Sequence, residues 1–283
     1  MSTAYRPRRL FCFGLGYSGR ALARELLAAG WGVAGTARGE SGLAELAALG
    51  IEPFLFEHVP EGALDGATHL LSCVPPGETG DPVLARYGET LARRAGSLAW
   101  VGYLSTTGVY GDTGGTWVDE SATLAPSGPR QARRVRAERA WTAALPAVHI
   151  FRLAGIYGPG RSALDQVRAG TARRIDKPGH VFSRIHVDDI SNVLTASFAR
   201  PDPGAIYNVC DDLPAEPEAV IAEASRLLGL EPPPPVPFAD AGLSPMAASF
   251  WRDNRRVRND RIKRELGVSL RHPDYRSGLA ACL

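Results

Sequence analysis

The chain has 283 residues, 45% of them hydrophobic, enough for one large domain or two intimate lobes around a buried core. Its net charge of +2 gives no argument for nucleic acid or a membrane as partner, and no run approaches the ~18 apolar residues of a membrane span. Four widely spaced cysteines without a C-x-x-C pair imply reduced thiols, and six histidines without ligand spacing lead to an expectation of no metal site. The apolar stretch near the N-terminus stops at glycines, so no signal-peptide core is expected and a cytoplasmic location is.

That stretch, 9–13, reads as a buried strand and runs into Gly14-Leu15-Gly16-Tyr17-Ser18-Gly19. An amphipathic helix follows, with Ala21, Leu22, Leu26 and Leu27 at helical spacing and Gly30 as its stop. Strand, glycine turn and helix in this order is the context of a dinucleotide-binding G-x-G-x-x-G. Gly14 permits a tight turn, Gly16 lets the backbone approach a pyrophosphate, and Gly19 lets the helix pack on the strand. Amides of the helix's first turn and the helix dipole then face the phosphate.

Further strands are expected at 31–37, 51–56, 67–74, 98–104 and 147–153. Helices are expected at 41–49 with a serine cap, at 82–94 with proline in the first turn, and at 129–144. A Gly/Asp/Thr-rich loop fills 107–127. The alternation implies an α/β fold: a doubly wound parallel sheet of the Rossmann type. Beyond Gly155 the rhythm breaks, leaving a strand and helix near 184–200, a strand at 205–209, helices near 217–228 and 259–266, and a proline tract at 232–235. Residues 1–155 are expected to form the dinucleotide-binding core, with the 184–200 segment returning to it, and 156–283 mainly a smaller C-terminal substrate lobe.

In open α/β sheets ligands sit at the carboxyl ends of the strands. The candidate contacts are therefore 14–19, 36–38, 72–75, 105–107 and 154–157. Among them Arg38, Cys73, Val74, Ser105 and Tyr157 are assigned to the dinucleotide and Thr107 to the substrate. Arg38 offers a fixed charge and a forked donor to a ribose 2′-phosphate, which favours NADP. Glu40 is the competing feature that would serve NAD.

Several segments together resemble the extended short-chain dehydrogenase/reductase family, its epimerase/dehydratase-like branch. They are the 14–19 glycine segment, Leu104-Ser105-Thr106-Thr107-Gly108-Val109-Tyr110-Gly111, Phe151-Arg152-Leu153-Ala154-Gly155-Ile156-Tyr157-Gly158-Pro159-Gly160, Ile185-His186-Val187-Asp188-Asp189-Ile190 and Tyr207-Asn208-Val209. The resemblance implies hydride transfer to or from a nicotinamide. It also implies a tyrosine acid/base, a lysine four residues on, and a Ser or Thr holding the substrate oxygen, here Thr106. The chain departs from the pattern, because none of its eight tyrosines has a lysine four residues later. Alignment of Arg134-Val135-Arg136-Ala137-Glu138 places Arg134 at the lysine and Arg130 at the tyrosine. A guanidinium, with pKa above ~12, cannot act as the proton donor. Arg134 can still hold a ribose hydroxyl, and Tyr110 or Tyr157 is left to supply the acid. The arginine that grips pyrophosphate in similar nucleotide-sugar enzymes is replaced by Phe182, with Arg184 two residues on as a substitute.

Two readings follow. One is an NADP-dependent oxidoreductase or epimerase acting on a small hydroxyl or carbonyl compound, with Thr106 and Tyr110 at the reacting centre. The other is a catalytically silent dinucleotide-binding sensor or partner-binding protein. Neither nucleic acid nor membrane is expected as partner, and the sequence leaves the oligomeric state open.

Overall fold

The computed structural model describes residues 8–283. Seven strands form the central sheet: β1 (Arg9–Phe13), β2 (Gly32–Ala37), β3 (Glu52–Leu55), β4 (His69–Ser72), β5 (Trp100–Thr106), β6 (His149–Leu153) and β7 (Ile206–Val209). Their order is β7-β6-β5-β4-β1-β2-β3, and β1 pairs in parallel with both β2 and β4. The order reverses at β1, so ligands are expected beyond its carboxyl end. β1 forms because four of its five residues are fully enclosed, as a strand covered on both faces requires.

The helices of the first half are α1 (Tyr17–Ala28), α2 (Glu40–Ala48), α3 (Pro82–Arg94) and α4 (Pro129–Ala144). α1 ends as expected: Gly30 takes φ +78° and Trp31 N bonds back to Leu26 O at 3.0 Å. α2 starts differently. Its N-cap is Gly39, and Ser41 lies inside the first turn, so the expected serine cap is not made. α3 is capped by Asp81, whose Oδ1 accepts from Val83 N and Leu84 N and whose Oδ2 accepts from Trp141 Nε1. β5 runs two residues beyond its expected end and finishes at Thr106.

The chain resolves into two compact units. The first comprises residues up to Ser105, Arg133–Phe151 and Leu194–Ile206, and the second Thr106–Ala132, Arg152–Val193 and Tyr207–Leu283. This alternation is finer than a division at residue 155. The first unit's core gathers Phe11, Phe13, Leu70, Tyr103, Trp141 and Ile150. In the second unit, Tyr157, Leu164, Val220, Tyr275 and Leu279 form one apolar cluster, and Ile175, Ala241 and Trp251 another.

Short parallel strand pairs organise the second unit, and of their strands the sequence announces only the one near 184. Arg184–His186 pairs with Gly155–Tyr157, Arg256–Val257 with Trp117–Val118, and Pro235–Pro237 with Arg174–Asp176. Part of the proline tract is thus a strand, and part of the 107–127 loop is ordered by pairing. Among the described residues no helix is long and apolar enough to cross a membrane.

Candidate functional site

The loop after β1 is built from three different uses of glycine. Gly14 has φ +77°, and a Cβ there would sit 2.8 Å from Val74 Cγ2. Gly14 N donates to Thr36 Oγ1 at 2.8 Å and Leu15 N to Thr36 O at 3.0 Å, so the end of β2 holds the turn. Gly16 is the N-cap of α1, and a Cβ there would meet only Gly14 O, at 4.0 Å. The main chain is therefore open where the helix begins, just before Tyr17 and Ser18. Gly19 is enclosed. A Cβ on it would lie 3.1 Å from Leu15 Cδ2, 3.5 Å from Cys12 Sγ and 3.6 Å from Cys73 Sγ. Its missing side chain lets α1 lie against β1 and the end of β4. The first-turn amides and dipole of a twelve-residue helix suit an anion at this opening.

The structure thus brings 14–19, Cys73 and Val74 together. Arg38 is exposed one residue beyond β2, and exposed Glu40 opens α2. Ser105 is buried, and its hydroxyl donates to Glu138 Oε1 at 2.5 Å. Arg134 Nη1 donates to Tyr103 OH at 2.9 Å and to Leu104 O at 2.8 Å. A cation fixed to the end of β5 therefore stands where the resemblance expects lysine. Burial raises the Tyr103 phenol, which makes it no proton donor near neutrality.

In the second unit, Thr106 Oγ1 accepts from Gly108 N at 3.1 Å and caps the turn Thr107–Tyr110. The same hydroxyl keeps one proton to donate. Thr107 is buried inside the turn.

Tyr110 is buried, donates to Asn208 Oδ1 at 2.7 Å and accepts from Arg152 Nη1 at 2.9 Å. Burial pushes its phenol up to about 12 against the pull of Arg152. Such a hydroxyl does not fit the expected acid. It is a structural tie among three segments of the unit, and Glu120 Oε1 extends the tie by accepting from Asn208 N at 2.8 Å.

Tyr157 does not fit the expected role either. Its hydroxyl bonds to Asp274 O at 3.3 Å and its ring lies edge-on to His186, within the unit's apolar cluster. Burial raises this phenol as well. Arg184 Nη1 donates to Phe182 O at 2.9 Å and Ala215 O at 3.0 Å, so it staples main chain instead of facing a substrate phosphate. Arg130 stacks on the exposed Phe250 ring at 5.1 Å.

Two features escaped the sequence reading. One is Asp211, buried, with Oδ2 lacking a hydrogen-bond partner among the described residues. It lines a cavity of about 370 Å³ together with Trp117, Asp212, Arg258, Asn259 and Lys263. Burial pushes its carboxyl up to about 8, against the pull of Arg184. In the unfolded chain this group ionises near ~4. Between about pH 4 and pH 8 the folded state therefore holds more protons, and stability falls as pH rises. Asp211→Asn removes that loss. Relative to wild type, its thermal stability gains roughly 3 kcal/mol between about pH 5 and pH 8, read by calorimetry. A difference that does not change with pH would refute the assignment.

The other feature is a meeting of His186, Asp188 and His272. The expectation of no metal site rested on spacing along the chain, and these residues meet only in space.

No family model matches the chain. It is 29% identical to Protein YeeZ of Escherichia coli K12 over 286 aligned positions, covering 94% of this chain and 97% of YeeZ. The structure of a functionally unknown conserved protein from Silicibacter pomeroyi DSS superposes with a TM-score of 0.93 at 54% identity, covering 97% of this chain and 98% of that one. The dTDP-glucose 4,6-dehydratase of Bacillus anthracis, in complex with NAD, superposes with a TM-score of 0.78 at 16% identity over 97% and 94% of the two chains. The fold is that of NAD-dependent epimerases and dehydratases.

Proposed function

We propose, from the premise that this chain belongs to one family with the conserved Silicibacter pomeroyi protein, that it binds a nicotinamide dinucleotide, NADP in preference to NAD. It then acts as an oxidoreductase or epimerase on a small hydroxyl or carbonyl compound. The observation that carries this reading is the glycine loop: left-handed Gly14, open Gly16 and enclosed Gly19, beyond the strand where the sheet order reverses.

The group fits these residues. The space a Cβ would take at Gly16 is free for a diphosphate, and the 14–19 main chain holds it. Val74 closes against Gly14 and Cys73 against Gly19, forming the floor of the loop. Arg38 would hold the 2′-phosphate, and Arg134, anchored through Nη1, would offer its remaining N–H groups to the ribose. The bound nicotinamide supplies hydride transfer. Thr106 would donate a hydrogen bond from its hydroxyl to the substrate oxygen and so steady charge that develops there.

Arg38→Ala lowers NADPH affinity about tenfold or more and leaves NADH affinity nearly unchanged, because a charged hydrogen bond to phosphate is worth ~1.5–3 kcal/mol. Fluorescence titration reads both. A tenfold NADPH preference that survives the substitution would show that the phosphate contact lies elsewhere.

A second reading, dinucleotide binding without turnover, is favoured by one observation. Arg130 occupies the tyrosine position of the resemblance, and Tyr103, Tyr110 and Tyr157 are all enclosed. Screening carbonyl compounds for cofactor oxidation separates the two: tight NADPH binding with no substrate turned over supports the silent protein.

A further inference from the structure

We propose that His186, Asp188 and His272 bind one divalent first-row transition metal ion, zinc before the others, which fastens the C-terminal segment to the strand–helix junction of the second unit. The three side chains come from separate elements. His186 ends the strand Arg184–His186, Asp188 lies in the first turn of the helix Val187–Ala199, and His272 lies on the loop before the helix Tyr275–Ala280. Their ligand atoms all lie within 4.8 Å of one another. His186 Nδ1 is 3.6 Å and His272 Nε2 3.8 Å from Asp188 Oδ2, and the two rings are 4.1 Å apart.

The hydrogen bonds around His186 decide which nitrogen carries the lone pair. Cys282 Sγ donates to Gly278 O at 3.1 Å and lies 3.5 Å from His186 Nε2. With its own proton committed, the sulfur accepts, so Nε2 carries the ring proton. Asp188 N donates to Nδ1 at 3.3 Å, which also requires a lone pair on Nδ1. An ion that takes the Nδ1 lone pair therefore displaces this long contact with Asp188 N and meets the carboxylate oxygen that lies 3.6 Å from Nδ1.

Two imidazoles and one carboxylate are ligands suited to zinc, and the pattern leaves a fourth position. Tetrahedral zinc, with bonds of ~2.0–2.1 Å, separates its ligand atoms by about 3.3 Å, so the pairs at 3.6 and 3.8 Å need to close by a few tenths of an ångström and the two imidazole nitrogens, within 4.8 Å, by at most about 1.5 Å. Asp188 is 44% exposed, which gives the ion a way in, whereas His186 and His272 are 1% and 14% exposed. The outer contacts are in place too. Asp189 accepts from Arg271 N at 2.7 Å and His272 N at 2.9 Å and so fixes the loop that presents His272, while Cys282 fixes the His186 tautomer.

The test is equilibrium dialysis of the metal-free full-length protein against zinc and cobalt(II), with metal counted per chain. One ion per chain is expected, with a cobalt spectrum intense in the visible and free of a thiolate charge-transfer band. His272→Ala and Asp188→Asn each weaken binding about a hundredfold or more, while Cys282→Ser changes it by less than about tenfold. Zinc raises the melting temperature of the wild-type chain, and this reads the site even if His272→Ala fails to fold. The proposal is overturned if saturating zinc neither binds stoichiometrically nor shifts that melting temperature. Equal zinc affinity in wild type and Asp188→Asn, or a thiolate band that names Cys282 as a ligand, also overturns it.

Discussion

Gly16→Val is expected to weaken dinucleotide binding sharply and to leave the chain folded. At this position φ is −84° and ψ −155°, at the margin of the extended region and not left-handed, and an added Cβ meets only Gly14 O at 4.0 Å. The folded chain therefore accepts the side chain. A diphosphate does not, because the branched carbons stand where the first-turn amides have to be approached. NADPH affinity is expected to fall at least about a hundredfold, roughly 2.7 kcal/mol, with the melting temperature within a few degrees of wild type.

Gly14→Ala is the contrasting control. It forces an alanine to φ +77° and sets a Cβ 2.8 Å from Val74 Cγ2, so it costs stability first, on the order of 1–3 kcal/mol. Fluorescence titration and calorimetry on the two variants separate the effects. If Gly16→Val binds NADPH as wild type does, the loop is not the site and the proposed function falls with it.

Tyr110→Phe has the second large effect, on stability and not on binding. The substitution removes the donor to Asn208 Oδ1 and an acceptor of Arg152 Nη1, both buried. Removing one partner from a buried pair costs about 1–3 kcal/mol, more when the survivor is charged, so a loss of roughly 2–4 kcal/mol is expected. NADPH affinity per folded molecule stays unchanged. The opposite result, an unaltered melting temperature with turnover lost, would restore Tyr110 as the acid.

The central sheet was legible because β1 and its neighbours are mostly enclosed, and their strands read as largely apolar or small residues with few charges. Their ends were less so. β5 continues through Ser105 and Thr106 because neighbouring strands, not local composition, set where pairing stops. The second unit hid most of its short strands for a simpler reason: three-residue elements such as Arg174–Asp176 are too short to show a period. One local signal was available. Ser162 and Asp165 form a capping box ahead of the helix Ala163–Arg168, and that spacing is written in the chain.

The site divides in the same way. The glycine loop is a local pattern, so its role could be read residue by residue. Thr36, whose hydroxyl holds Gly14, becomes visible only when β2 is laid beside β1. Tyr110 and Tyr157 looked available because sequence does not report burial. His186 and His272 looked unrelated because 86 positions separate them, and only folding brings their rings to 4.1 Å.

Six alternating segments make up the two units, so the polypeptide passes from one to the other five times. During synthesis the first unit lacks its final piece until Ile206 has left the ribosome, and the second lacks its own until the segment Tyr207–Leu283 has emerged. A nascent chain shorter than about two hundred residues carries the whole glycine loop yet no finished unit, and its uncovered apolar strands are exposed to aggregation. For the same reason neither half can be expressed alone by cutting the gene at a single point.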